Sequence, residues 1–257
     1  MFAVGVRLYI GDTLFLLLPR NMPVPVQRLV RFFLLSIALL NSTTLRALAQ
    51  SAPATNPFES EIEALQAKMT DPPPRPIVFY GSSSIRLWNT LSQDLPDYVV
   101  LNCGFGGSRL TDCLYYAPRV VTPLKPSAVV IYAGDNDLAT GAAPEQVFSS
   151  FRQLFFALRT SSPDLPIAFV SVKPCPARFK YIQNIERFNQ LVDNFLDTQS
   201  NADYIDIFSD LLGPDHQPIG SLFRSDQIHL SQAGYQIFKR DISEYLRDEF
   251  PKKFTAQ

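Results

Sequence analysis

The chain has 257 residues, of which 46% are apolar and 12% aromatic, enough for one α/β domain with a full core plus an N-terminal extension. Its net charge of −1 conceals an asymmetry: the first 49 residues hold five arginines and one aspartate, leaving 18 basic and 23 acidic residues in the remainder. A mildly acidic body argues against nucleic acid or an anionic membrane as the main partner. Cys103, Cys113 and Cys175 are too few and too scattered for a disulfide framework or a zinc site. They read as small buried side chains, with a Cys103–Cys113 bridge open to the chain only in an oxidising compartment.

Residues 28 to 49 carry Arg28 and Arg31, the apolar run Phe32 to Leu40, and the small-x-small end Ala47-Leu48-Ala49. This is the order of a secretory signal, and the apolar run is too short to span a bilayer comfortably. Met22 is a candidate start that would give a signal of ordinary length. The expectation is an exported protein, periplasmic or extracellular, and a membrane-anchored one if the segment is not cleaved. The chain then divides into the extension at 1–49, a leader at 50–57, the folded domain at 58–250 and a tail at 251–257.

Asn56-Pro57-Phe58-Glu59 predicts a helix start, with Asn as cap and Pro at the first position, running to about Lys68. The run Asp71-Pro72-Pro73-Pro74-Arg75-Pro76 cannot continue it. Apolar runs without polar alternation follow at Ile77 to Tyr80, Tyr98 to Leu101, Ala128 to Ala133, Ile167 to Val172 and Tyr204 to Ile207. Such runs suit parallel strands buried on both faces. Between them, Val147, Phe151, Leu154, Phe155 and Leu158 recur at helical spacing, as do Ile185, Phe188, Val192 and Phe195. A last helix follows Ser231, with Phe238, Ile242 and Tyr245 inward. Five strands alternating with helices predict a doubly wound α/β domain, in which ligands bind beyond the C-terminal strand ends.

Four blocks fall in that region. Gly81-Ser82-Ser83-Ser84 follows the first strand, where glycine permits a tight turn and a hydroxyl can serve as nucleophile; a serine-rich helix cap is the plainer reading. Asn102 to Ser108 holds three glycines that let the backbone approach a ligand, without the order of a dinucleotide fingerprint. Gly134-Asp135-Asn136-Asp137 offers an Asn amide as a fixed donor to an oxyanion, or simply a tight turn. Asp226-Gln227-Ile228-His229 places a carboxylate three residues before one of only two histidines. A hydrolase working near neutral pH needs such an imidazole as general base. The other, His216, reads as a loop residue. Phe105, Tyr115 and Tyr116 read as core rather than acyl pocket, and Lys173, Arg178 and Arg109 as solvated charge rather than contacts to an anionic substrate.

In order and spacing these blocks resemble those of the SGNH hydrolase superfamily, also called GDSL-type esterases and lipases, over roughly Phe58 to Phe250. The resemblance implies a three-layer α/β/α fold around a central five-stranded parallel sheet, of flavodoxin-like hydrolase type. It implies a nucleophile at Ser83, a triad completed by Asp226 and His229, and an oxyanion hole made by Ser83, Gly107 and Asn136. It implies no cofactor and no metal, and a small ester as partner: a short acyl ester, a sugar ester or a lysolipid. Ser82 stands where the family commonly has Asp, and Ser83 is chosen among the three serines because it keeps the family's offset from Gly81. The chain is similar to a secreted bacterial branch with Gly-Ser-Ser-Ser-Ile-Arg and Gly-Phe-Gly-Gly-Ser blocks. That branch often carries Lys-Pro-Ser-Pro where Lys173-Pro174-Cys175-Pro176 stands here. The expected activity is a secreted serine esterase acting through an acyl-enzyme. An acyltransferase with the same residues, or a non-catalytic carbohydrate- or lipid-binding module on the same fold, are the alternatives.

Overall fold

The computed structural model describes residues 56–250. The export signal, the candidate start at Met22, nearly all of the leader and the tail lie outside those residues. Five parallel strands pair in the order β2-β1-β3-β4-β5, with β1 at Ile77–Gly81, β2 at Val100–Gly104, β3 at Ala128–Tyr132, β4 at Ile167–Val170 and β5 at Ala202–Ile205. The helices are α1 Glu59–Lys68, α2 Ser83–Arg86, α3 Leu91–Asp94, α4 Leu110–Val120, α5 Asp135–Ala139, α6 Pro144–Ser161, α7 Ile182–Leu196 and α8 Gln232–Glu249. Among the described residues no helix is long and apolar enough to cross a membrane.

The three central strands are buried at every position, which is why their sequences show apolar runs and no alternation. Side chains still alternate between two cores. Val78, Tyr80, Val129 and Ile131 join one with α4, α6 and α7; Ile77, Phe79, Val130 and Tyr132 join the other with Trp88 and α8. Helices thus cover both faces, giving the three-layer α/β/α sandwich. The inward residues of α6 and α8 are the expected ones, except that Tyr245 is only partly buried and Leu246 is fully buried. All three cysteines are free and buried.

Several boundaries differ from expectation for local reasons. Helix α1 begins at Glu59, not behind an Asn56 cap, and Phe58 just before it packs edge-on against Phe105 with ring centroids 5.2 Å apart. Strand β2 starts at Val100 and runs on to Gly104, because Asn102, though polar, turns its amide to the carbonyls of Ile85 and Trp88 at 2.6 and 3.3 Å. The β4 ladder stops at Val170, and Val172 instead exchanges two hydrogen bonds with the Asn189 side chain at 2.9 and 3.0 Å. Strand β5 ends at Ile205, where Asp206 accepts from Ser171 Oγ at 3.2 Å and from the Phe208 N–H at 2.8 Å, turning the chain away.

The chain leaves β1 toward β2 on one side and later returns to β3 on the other. The crevice beyond the C-terminal ends of β1 and β3 is therefore a topological switch point, where open α/β sheets place their ligands.

Candidate active site

Gly81 ends β1 with φ +130°, a conformation L side chains rarely adopt. A Cβ there would lie 1.9 Å from the Tyr132 carbonyl oxygen of β3, so only glycine lets the two strands pair to their ends. The chain then turns into α2 with Ser83 as its first residue. First-turn N–H groups have no carbonyl partner within their own helix, which leaves the Ser83 N–H a candidate donor to a ligand.

The three adjacent serines go to three different places. Ser82 is fully buried and lies 3.5 Å from Asp135 Oδ1. Ser84 is buried and accepts from Lys173 Nζ at 3.0 Å. Ser83 alone meets the histidine, its Oγ 3.1 Å from His229 Nε2. On the far side of the ring, His229 Nδ1 stands 2.8 Å from Asp226 Oδ2. The carboxylate accepts hydrogen bonds, so it selects the tautomer with Nδ1 protonated and leaves Nε2 as the acceptor facing Ser83.

The Asp-x-x-His segment is a self-supporting turn. Asp226 Oδ1 accepts the N–H groups of Ile228 and His229, each at 2.9 Å, while Gln227 adopts φ +57° at its apex. Arg224 N–H closes the loop on the His229 carbonyl at 2.7 Å. The hydrogen bond from the His229 ring, with the two backbone N–H groups behind it, holds the Asp226 carboxyl far below the usual carboxylate range. Two residues later Ser231 caps α8, its Oγ accepting the Gly234 N–H at 3.3 Å. His216, in contrast, sits on an exposed loop with φ +57°.

Gly107 follows the C-terminal end of β2, and Asn136 follows that of β3. Gly107 is exposed with φ +76°, and a Cβ on it would meet nothing within 4 Å, so the space before it is open. Asn136, in α5, donates from Nδ2 to the Ser108 carbonyl at 3.0 Å and accepts at Oδ1 from Arg178 Nη2 at 2.9 Å. The Asn amide thus ties the block-two loop to the block-three turn. Among the described residues its second N–H makes no other hydrogen bond.

Beneath this surface lies a polar cluster that sequence reading missed. Lys173 is fully buried, and its Nζ contacts Asp135 Oδ2 at 3.0 Å, Tyr132 Oη at 2.9 Å and Ser84 Oγ at 3.0 Å. Burial opposes its charge, but the Asp135 carboxylate and then Tyr132 outweigh that and hold the ammonium well above its ordinary value. Burial likewise opposes ionisation of Asp135, yet Lys173 and Arg178 keep the carboxyl below its usual range. The expectation of solvated charge therefore fails for Lys173; the one visible hint was a lysine directly after a buried strand and before two prolines. Arg178 is only 19% exposed, while Arg109 lies at the surface as expected. Phe105 and Tyr116 are core residues, but Tyr115 is 64% exposed and packs edge-on against Tyr116. Among the described residues no group of His, Cys, Asp or Glu could hold a metal ion.

A doubly wound sheet whose switch point carries a serine, an imidazole and a carboxylate in hydrogen-bonded line is the arrangement of α/β serine hydrolases. The profile of the GDSL-like Lipase/Acylhydrolase family matches residues 73–237, and the chain belongs to that family. No curated protein matches the chain. Its fold is that of a GDSL-like lipase from Bacteroides thetaiotaomicron VPI-5482, at TM-score 0.65 and 18% identity over 74% of this chain and 98% of the other. A lipase/acylhydrolase from Enterococcus faecalis is similar at TM-score 0.56 and 17% identity, over 70% and 99% of the two chains. A carbohydrate esterase family 3 structure from Talaromyces cellulolyticus is similar at TM-score 0.53 and 15% identity, over 69% and 98%.

Proposed function

We propose that the chain is an exported serine esterase that hydrolyses carboxylic esters through an acyl-enzyme, with Ser83 as nucleophile. The observation that carries this reading is the pair of hydrogen bonds from Ser83 Oγ through His229 to Asp226, at 3.1 and 2.8 Å. Ser83 Oγ attacks the acyl carbonyl carbon as its proton passes to His229 Nε2, and Asp226 stabilises the imidazolium. Negative charge on the former carbonyl oxygen is met by the Ser83 and Gly107 N–H groups and the Asn136 amide. His229 then protonates the departing alcohol oxygen as the ester C–O bond breaks. Water attacks the acyl-enzyme next, giving its proton to His229, and the acid leaves as the proton returns to Ser83 Oγ.

The openness of the site favours small or exposed esters. The His229 and Asp226 side chains are 29% and 45% exposed, so the relay lies at the rim rather than in a deep acyl tunnel. Short acyl groups, including acetyl groups on sugars, fit that setting. Among the structural neighbours both lipases and a carbohydrate esterase occur, so a panel of acyl lengths and acetylated glycans is the assay that selects between them.

Ser83→Ala is expected to abolish labelling by a fluorophosphonate probe. It should cut p-nitrophenyl acetate turnover to the roughly 10³–10⁴-fold acceleration over water that binding and oxyanion donors supply alone. Full activity in Ser83→Ala, with loss in Ser82→Ala, would move the nucleophile one residue and end this assignment. For export, a mature N-terminus near Gln50 is expected on sequencing the protein from the cell exterior or periplasm, and a retained Met1 would overturn it.

A further inference from the structure

An Asn amide is nearly symmetric in shape, and its two ends have opposite electrical character. Facing a reacting carbonyl with its N–H, it stabilises the oxyanion; turned by half a revolution it presents its own oxygen and repels that charge. Something must therefore select the orientation of Asn136. Two neighbours do so together. The Ser108 carbonyl can only accept, and it takes one Nδ2 hydrogen at 3.0 Å; Arg178 can only donate, and it holds Oδ1 at 2.9 Å.

Arg178 is itself held. Its Nη1 lies 3.3 Å from Asp135 Oδ2, the same oxygen that Lys173 Nζ contacts at 3.0 Å. Lys173 is anchored below by Tyr132 and Ser84, and Ala177 beside Arg178 donates its N–H to the Gln227 carbonyl of the histidine turn at 3.1 Å. The loop after β4 thus connects the buried ion pair, the Asn136 amide and the His229 turn. Two cations here meet one carboxylate, which leaves positive charge beside the place where an oxyanion would form.

We propose that Arg178 is a positioning residue that acts through Asn136, locking its amide with the N–H toward the oxyanion and polarising that donor, on a base built from Asp135 and Lys173. This deepens the esterase reading above and rests on Asn136 being an oxyanion donor. Arg178 Nη1 is buried without a hydrogen-bond partner beyond its 3.3 Å approach to Asp135, so the guanidinium is directed into the protein at both ends.

The test is a double-mutant cycle on the full chain with p-nitrophenyl acetate, using Arg178→Ala, Asn136→Ala and the double variant, with thermal melts to check folding. Asn136→Ala is expected to lower kcat by about 10²–10³. Arg178→Ala should lower kcat by about 10–10², with KM within about threefold of wild type, because the interaction lost is made to the transition state. In the Asn136→Ala background, removing Arg178 should cost less than about threefold. Arg178→Gln, which keeps one N–H donor for Oδ1, should recover part of the loss, and it stands in if the alanine variant does not fold. Equal losses in both backgrounds, or a rise in KM confined to anionic esters, would overturn the positioning role. Full turnover in Asn136→Ala would overturn the oxyanion reading and the clamp together. A normal loss there with an unaffected Arg178→Ala would overturn the clamp alone.

Discussion

Asp137 shows how one side chain near the site trades stability for geometry. It is only 5% exposed, and its carboxylate accepts the Leu110 N–H at the start of α4 at 3.2 and 3.3 Å. Burial pushes its carboxyl up to about 6, against the pull of that N–H. The folded state therefore binds the proton more tightly than the unfolded chain, whose ordinary value is 3.8. Stability from this group is greatest in acid, falls as the pH rises from about 4 to about 6, and stays reduced above that. Asp137→Asn keeps an acceptor for Leu110 and removes the charge. It should raise stability by about 1–3 kcal/mol at pH 8. Melting curves should show the gain shrinking toward pH 4; a gain constant across this range would contradict the account. Asp226 has the opposite sign: its carboxyl is held low, so its contribution is present above the ordinary carboxylate value and is lost only as the solution becomes strongly acid.

At the level of elements, the end of β1 is the most constrained point. Gly81→Ala must move the Tyr132 carbonyl or break the β1–β3 pairing. We expect a loss of more than ~2 kcal/mol, read from urea unfolding, together with loss of activity as Ser83 shifts. Much of this layout was legible in the residues. The fully buried strands announced themselves as apolar runs, and Gly81 and the Gly134–Asn136 turn mark where β1 and β3 end, while the Asp226–His229 spacing stands out in the long loop after β5. The edges were harder to read. Asn102 belongs to β2 although it is polar, because its side chain serves the turn after α2 rather than solvent. Strand β5 leaves the sheet at Asp206 although Ile207 and Phe208 are apolar, because the stop comes from Ser171, in the loop just after β4. Choosing Ser83 among three serines needed the resemblance; in space the choice turns on which hydroxyl faces the imidazole.

Across the whole molecule, the part hidden from the sequence is the part built from distant pairs. Lys173 and Asp135 are 38 positions apart, and nothing local to either announces the other. Removing the ammonium leaves Asp135 buried with Arg178 alone. Lys173→Met is expected to cost on the order of 3 kcal/mol in urea denaturation, since Asp135 loses its shorter and fully buried ionic partner and Tyr132 and Ser84 lose theirs. An unchanged midpoint would mean that the ion pair contributes nothing net. The cysteines bear on how the molecule opens. Cys103, Cys113 and Cys175 are at most 1% exposed, and burial pushes the Cys103 thiol up to about 12. Two sit in the core of one layer and the third in the core of the other. A thiol-reactive dye can consequently modify the protein only as fast as these layers come apart. The labelling rate at each sulfur is then a clock for local breathing, and it would show whether the two halves of the sandwich separate together or one ahead of the other.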